Sequence, residues 1–166
     1  MKIIPSDKIE IVTTLSMQEA RKILSENIRP KKIFKFSFNQ PQKKELFEGN
    51  FEQDNFKIQR IITERNSFLP QIKGQILPSI NGTRLVADLK IHSSVIVFML
   101  FWLTFVGFAF ITGIIGVINQ GINPLFLIVP LIMIGFGIGL INYGFNSQKE
   151  KSINDLKKIL NGHTKA

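Results

Sequence analysis

Long uninterrupted runs of apolar residues dominate the second half of the chain. Residues 95–118 read VIVFMLFWLTFVGFAFITGIIGVI, and residues 125–145 read LFLIVPLIMIGFGIGLINYGF. Each run reaches the roughly 20 apolar residues that a helix needs to cross about 30 Å of hydrocarbon. The short segment between them is polar, and Asn123-Pro124 supplies a helix cap and a first-turn proline. The pattern therefore predicts a transmembrane hairpin within residues 93–146.

Residues 1–92 show the shorter periods of a soluble domain. Ile9, Ile11 and Thr13 alternate with Lys8, Glu10 and Val12, and this period of two predicts a half-buried strand. A capping box at residues 16–19 precedes apolar positions at helical spacing, which predicts a helix that ends near Arg29-Pro30. Further alternating runs predict strands at residues 33–38, 46–53, 56–63, 71–80 and 83–92, with turns at Asp54-Asn55 and Asn81-Gly82.

About six strands and one helix predict an antiparallel α+β domain over residues 1–92. Gly49 and Gly74 interrupt two of the predicted strands, where a glycine permits a bulge or a sharp curl. A curled sheet of this size favours a partly closed barrel with the helix over its open side.

Residues 147–166 predict a separate, short amphipathic helix with a basic tail. The residues that form its apolar stripe are Ile153, Leu156, Ile159 and Leu160. Lysines flank this stripe, and Asn161-Gly162 provides an end. Docking onto the soluble domain or placement at the membrane interface is favoured over capture of a partner helix.

Charge decides the predicted orientation. The chain carries a net charge of +9, yet no Asp, Glu, Lys or Arg lies between Lys90 and Lys149. The segment before the hairpin has 16 basic against 10 acidic residues, the segment after it has 5 against 2, and the connecting loop has none. Basic residues remain on the cytoplasmic side of a bilayer, so both termini are expected in the cytoplasm of a two-span protein of the cell or inner membrane.

Glycines mark the candidate helix-packing positions. Gly135 and Gly139 have the spacing that lets two membrane helices approach closely, and Gly113 and Gly116 offer a facing groove. This spacing fits either homo-oligomerisation or packing within one hairpin. Packing within the hairpin is favoured, because the motif is common in membrane helices.

The chain offers few groups for catalysis. It has no cysteine, and His92 and His163 lie far apart without a ligand motif around either. No serine lies in a nucleophile elbow, and the glycines of the second apolar run do not follow a strand as nucleotide binding requires. No catalytic residue, metal or cofactor is therefore predicted, and an enzyme or transporter has the least support.

The soluble domain carries the remaining candidate site. Clustered lysines attract acidic headgroups, nucleic acid or acidic proteins, although solvated basic loops near the membrane explain them as well and are favoured. An apolar pair near residue 68 could touch the membrane or complete the core, and core packing is favoured. The candidate binding residues are Lys31, Lys32, Lys35, Lys43, Lys44, Phe68 and Leu69.

Function follows from anchoring without visible catalytic residues. The leading hypothesis is a non-enzymatic, membrane-anchored binding or accessory protein, in which the hairpin holds a basic domain at the inner membrane face to engage a protein partner. Homo-oligomerisation is open, and no nucleic-acid partner is expected. The alternative hypothesis is a domain that senses anionic lipid.

Overall fold

A computed structural model of the protein describes residues 4–30 and 45–164. It is an α+β fold with a seven-stranded sheet and three helices in this part of the chain. The strands are β1 Ser6–Thr13, β2 Ile28–Pro30, β3 Phe47–Glu52, β4 Asn55–Arg60, β5 Gln71–Ser79, β6 Gly82–Lys90 and β7 His163–Thr164. The helices are α1 Met17–Asn27, α2 Ser93–Gln120 and α3 Ile128–Leu160, and a short 3₁₀ helix, Pro124–Leu127, joins the last two.

The sheet is mixed, with the order β2-β3-β4-β5-β6-β1-β7. Every pair is antiparallel except β2 and β3, which run parallel from Ile28 opposite Phe47. The prediction of a purely antiparallel sheet is wrong at this edge, where the short strand β2 follows α1 directly and pairs in parallel with β3. A parallel pair needs a crossover of about a dozen residues or more, which residues 31–46 supply. The strand predicted at residues 33–38 lies outside the described residues.

Both predicted hairpins form, but each turn lies one residue earlier than expected. Glu52 pairs with Asn55, and Ser79 pairs with Gly82. Gly82 therefore belongs to the strand β6, where φ is 134° and an added Cβ would lie 2.3 Å from the Thr13 carbonyl oxygen. The close approach of β1, rather than the turn alone, requires glycine at this position.

The expected bulges are absent at both strand glycines. Pairing continues through Gly49 opposite Ile58 and through Gly74 opposite Phe56. At Gly74 an added Cβ would lie 2.5 Å from the Phe56 ring, so this glycine leaves room for a core side chain. Among the described strands, β2 and β7 stand at the two edges of the sheet and do not pair with each other, so these strands do not form a closed barrel.

One face of the sheet carries the core. Alternate residues of each strand, among them Ile11, Ile72 and Leu85, are almost fully buried beneath α1 and the C-terminal half of α3. The predicted capping box starts α1: the Ser16 backbone N–H donates to Glu19, and the Glu19 N–H bonds back to the Ser16 hydroxyl. The Ser16 backbone N–H and hydroxyl both donate to the Glu19 carboxylate, and these two hydrogen bonds lower the pKa of that carboxyl. Leu24 then anchors the apolar face of α1 on the sheet.

The two long helices pack side by side as a hairpin and are long and apolar enough to cross a membrane. In the most apolar stretch of each, only 6% and 11% of the residues are buried within the protein. Large apolar side chains point outward instead, for example Phe101, which is 74% exposed, and Phe126, which is 70% exposed. This distribution is the reverse of that in a core helix of a soluble protein.

The segment after the second apolar run is not a separate helix. α3 has 33 residues and is roughly 50 Å long at 1.5 Å per residue. It is continuous because neither proline nor a left-handed residue interrupts it between Phe145 and Leu160, while its surface changes from apolar on all sides to amphipathic. The predicted end is confirmed: Asn161 adopts φ 45°, and the Gly162 N–H bonds to the Lys157 carbonyl oxygen.

Candidate functional site

Ion pairs and apolar contacts meet at the junction where α3 leaves the apolar hairpin and crosses the inner face of the sheet. Lys149 is the first charged residue after the uncharged stretch, and its Nζ donates to Asp7 Oδ2 of β1 at 2.9 Å. The Lys149 side chain is only 19% exposed. The hydrogen bond to Asp7 raises the pKa of Lys149. The start of the first strand is thereby tied to α3 at the point where the apolar hairpin ends.

A second ion pair lies farther along α3. Arg60 Nε of β4 donates to Asp155 Oδ2 at 2.5 Å, and a guanidinium N–H approaches Gln148 Oε1 at 3.4 Å. The two charged side chains are about three-quarters buried, so this pair is less screened by solvent than a surface pair. Together the two ion pairs, which we call the α3 clamp, connect α3 to strands on both sides of the sheet centre.

Apolar packing runs through the same junction without a break. Phe145, Ile153 and Leu156 of α3 are buried against the sheet, and the same core cluster includes Met99 of α2 and Ile141 of α3. Core and hairpin are therefore one packed unit, and the sheet is not attached through a flexible linker.

The glycine that brings the two long helices together is Gly137. A Cβ at this position would lie 2.6 Å from the Trp102 ring, so Trp102 packs directly on the α3 backbone. Gly135 and Gly139 meet no atom within 4 Å and face away from α2. Gly113 and Gly116 lie instead against side chains of the connecting segment, Leu127 and Ile122 respectively. Their spacing in sequence did not reveal which glycines face the partner helix.

The apolar pair near residue 68 fills the junction. Leu69 is 5% exposed, and Phe68 is half-buried against Gly144, where an added Cβ would lie 2.8 Å from the Phe68 ring. The Asn66 side chain fixes this loop by donating to the Gly144 carbonyl oxygen at 3.1 Å and accepting from the Phe68 N–H. Leu69 thus lies in the interior, and Phe68 packs on α3.

The predicted basic cluster of Lys31, Lys32, Lys35, Lys43 and Lys44 lies outside the described residues. A different basic group is present on the outer face of the sheet, which no helix of the described chain covers. In the strand pairing, Lys57 of β4 lies opposite Lys73 of β5. Asp88 of β6 lies between Lys73 and Lys8 of β1, so the four residues form one row across the sheet. Across these residues runs a shallow depression of about 600 Å³.

These outer-face lysines were missed because each lies in an ordinary alternating strand. Only the strand register brings them into one row. Neither Lys57 nor Lys73 forms an ion pair with a residue in the described part of the chain, whereas Lys8 and Lys90 both approach Asp88. Like charges directly opposite each other in a sheet are unfavourable. Because Glu52 and Asp88 line the same depression as Lys8, Lys57 and Lys73, its charged side chains carry only a small positive excess.

The two histidines have structural positions. His92 caps α2, because its Nδ1 accepts from the Ser94 backbone N–H, and His163 lies exposed in β7. Within residues 4–30 and 45–164, no group of three or more His, Cys, Asp or Glu residues could hold a metal ion. No protein-family model, curated protein or solved structure matches the chain.

Proposed function

We propose that the protein is a non-enzymatic, membrane-anchored binding or accessory protein, whose hairpin spans the membrane and whose sheet presents a polar face to a protein partner at the cytoplasmic side. The observation that carries the proposal is the continuity of α3, which runs from the uncharged hairpin onto the inner face of the sheet. An anchor built in this way fixes both the place and the orientation of the sheet.

Membrane insertion is supported by the mismatch between apolar surface and burial. In a protein outside a membrane, water would contact most side chains in the apolar parts of α2 and α3, which carry no charged residue between Lys90 and Lys149. Exposed apolar surface of this extent is unfavourable in water and favourable in hydrocarbon. The flanking lysines and arginines favour an orientation with the sheet and the end of α3 in the cytoplasm.

Partner binding is supported by the contrast between the two faces of the sheet. The inner face is fully used for packing by α1 and α3, whereas the outer face carries the row of Lys57, Lys73, Asp88 and Lys8 over a broad depression. A polar, open face suits a transient partner better than an obligate one. The basic segment within residues 31–44 adds positive charge to the same domain.

Topology is testable because the native chain has no cysteine. A membrane-impermeant maleimide applied to intact cells is expected to label Asn119→Cys in the last turn of α2, next to the connecting loop, and to leave Ser25→Cys on α1 unlabelled until the membrane is permeabilised. Both positions are exposed in the structure. Labelling of Ser25→Cys in intact cells would contradict the proposed orientation, and release of the protein by alkaline carbonate would contradict insertion.

Partner recognition is testable by photo-crosslinking in native membranes. A photoreactive amino acid at Gln75, on the outer face, is expected to capture a defined partner that the same group at Ser25 does not capture. The variant in which Lys31, Lys32, Lys35, Lys43 and Lys44 are replaced by alanine tests the basic segment. Its control, K22A/K151A/K158A, removes exposed helix lysines. Equal capture from Gln75 and Ser25 would remove the outer face from the proposal.

A further inference from the structure

A cavity lies at the seam between the sheet and α2, at the end of the sheet from which the hairpin starts. It has a volume of about 290 Å³, near the lower end of the range of about 300–1,000 Å³ for small-molecule sites. Lys73, Asp88 and Lys90 of the sheet contribute what we call its polar wall, and Ile4 and Ile96 contribute its apolar wall. The polar wall belongs to β5 and β6, whereas Ile96 belongs to the first turn of α2.

The polar wall is positively charged overall. Lys73 and Lys90 stand against the single carboxylate of Asp88, which is 3.6 Å from Lys90 and is shared with Lys8 at 3.9 Å. Lys73 forms no ion pair with another described residue, and it also borders the depression on the outer face. The two lysines of this wall exceed the one carboxylate in charge, so the wall can bind an added anion.

The apolar wall continues along the hairpin. Ile4, Ile91 and Ile96 also line a second, narrower crevice, which has only apolar side chains around it. That crevice follows α2 from Val95 to Leu103. Its volume of about 20 Å³ is too small to enclose a chain, so an apolar tail would lie along its open mouth on the helix surface.

We propose that this seam binds one phospholipid with an anionic headgroup. The headgroup would occupy the cavity beside Lys73 and Lys90, and an acyl chain would lie along Ile96 and Leu100 of α2. The order of the two walls is that of a lipid in a bilayer, since Lys90 lies three residues before α2 begins at Ser93 and the apolar crevice lies along α2 beyond that point. This inference rests on the proposed insertion of the hairpin in the membrane.

The test uses the full-length protein in detergent, analysed by native mass spectrometry with added phosphatidylglycerol or phosphatidylcholine of identical acyl chains. One phosphatidylglycerol is expected to stay bound with clear preference over phosphatidylcholine. K73M/K90M is expected to weaken the apparent affinity for phosphatidylglycerol on the order of tenfold or more, because methionine keeps the apolar stem and removes the charge. The matched variant K22M/K151M removes two exposed charges away from the seam and is expected to retain the lipid.

Equal loss of lipid in both double variants, or no preference for phosphatidylglycerol, would overturn the site. Displacement of the lipid by glycerol phosphate alone would overturn the role of the acyl chain. Matching circular dichroism and melting curves establish that the variants are folded. Extraction of the wild-type protein by alkaline carbonate separates the two proposals: a protein that stays in the membrane but binds lipid without preference refutes only the seam site, whereas a protein released from the membrane refutes the anchor.

Discussion

Two ion pairs on the inner face of the sheet join residues that are remote in sequence. Asp7 and Lys149 are 142 positions apart, and Arg60 and Asp155 are 95 positions apart. Each charged residue alone is typical of a solvated surface, and no local period distinguishes it from its neighbours. Only the packing of α3 on the sheet turns these residues into partners, so sequence periodicity could not identify the α3 clamp.

Removing one member of the Arg60–Asp155 pair is expected to cost more stability than removing both. Arg60→Met leaves the mostly buried Asp155 carboxylate without its partner, and the loss of such a bond is typically about 1–3 kcal/mol. Arg60→Met combined with Asp155→Leu removes both charges, so part of the stability is expected to return. Thermal unfolding of the full chain in detergent measures the effect. Additive losses in the double variant would show that the two side chains do not interact.

The Lys149 pair predicts a pH dependence at the alkaline end. Because contact with Asp7 raises the pKa of Lys149 above its ordinary value of 10.5, the pair stabilises the fold fully below 10.5. This stabilisation is lost as the pH rises through the raised pKa. The melting temperature of the wild type is therefore expected to fall more steeply above pH 10.5 than that of K149M, while K151M, which lacks an exposed lysine, follows the wild type. Identical curves for wild type and K149M would contradict the assignment.

At the scale of elements, the apolar runs located both long helices, and the alternation located five of the strands. The two remaining strands are short: β2 has three residues and β7 has two, which is too few for a period to show. The predicted boundary between the hairpin and a separate C-terminal helix is wrong, because a change from an apolar to an amphipathic pattern resembles the start of a new helix. The backbone, which lacks a helix breaker at that point, continues through it.

Gly137 is expected to tolerate substitution far less well than Gly139. Gly137→Leu would force side-chain atoms into the Trp102 ring and is expected to destabilise the hairpin by about 1–3 kcal/mol. Gly139→Leu enters open space and is expected to leave the monomer unchanged. Thermal stability in detergent compares the two variants. A selective loss of a dimer in Gly139→Leu, measured by light scattering, would instead assign the outward glycines to homo-oligomerisation.

The hairpin and the sheet move as one rigid body if α3 holds them in a fixed relative orientation. Spin labels at Ile80→Cys in the β5–β6 turn and at Asn119→Cys in the last turn of α2 report the distance between the sheet and the far end of the hairpin, since the native chain has no cysteine. The distance distribution is expected to be narrow in the parent and in Ser147→Ala. Ser147→Pro interrupts α3 at a cost of about 3 kcal/mol and is expected to shift or broaden it. Equal distributions in the two variants would show that the core, and not α3, sets the geometry.

At the scale of the whole molecule, the sequence predicted the two long apolar helices but neither the outer-face row nor the seam cavity. Hydropathy and the charge gap between Lys90 and Lys149 predicted two helices able to cross a membrane, because desolvation acts on long stretches of chain. The outer-face row depends on strand register, and the seam cavity depends on the placement of Ile4 beside the start of α2. These relations are set by tertiary packing, and no period in the chain encodes them.

The unbroken α3 also couples the hairpin to the sheet. If the hairpin lies in the membrane as proposed, a tilt of this helix of roughly 50 Å would rotate the sheet packed on it through the same angle. Membrane helices adjust their tilt to bilayer thickness. With the hairpin in the membrane, the direction in which the outer face points would thus depend on the thickness of the surrounding bilayer, and access to that face would differ between thin and thick membranes.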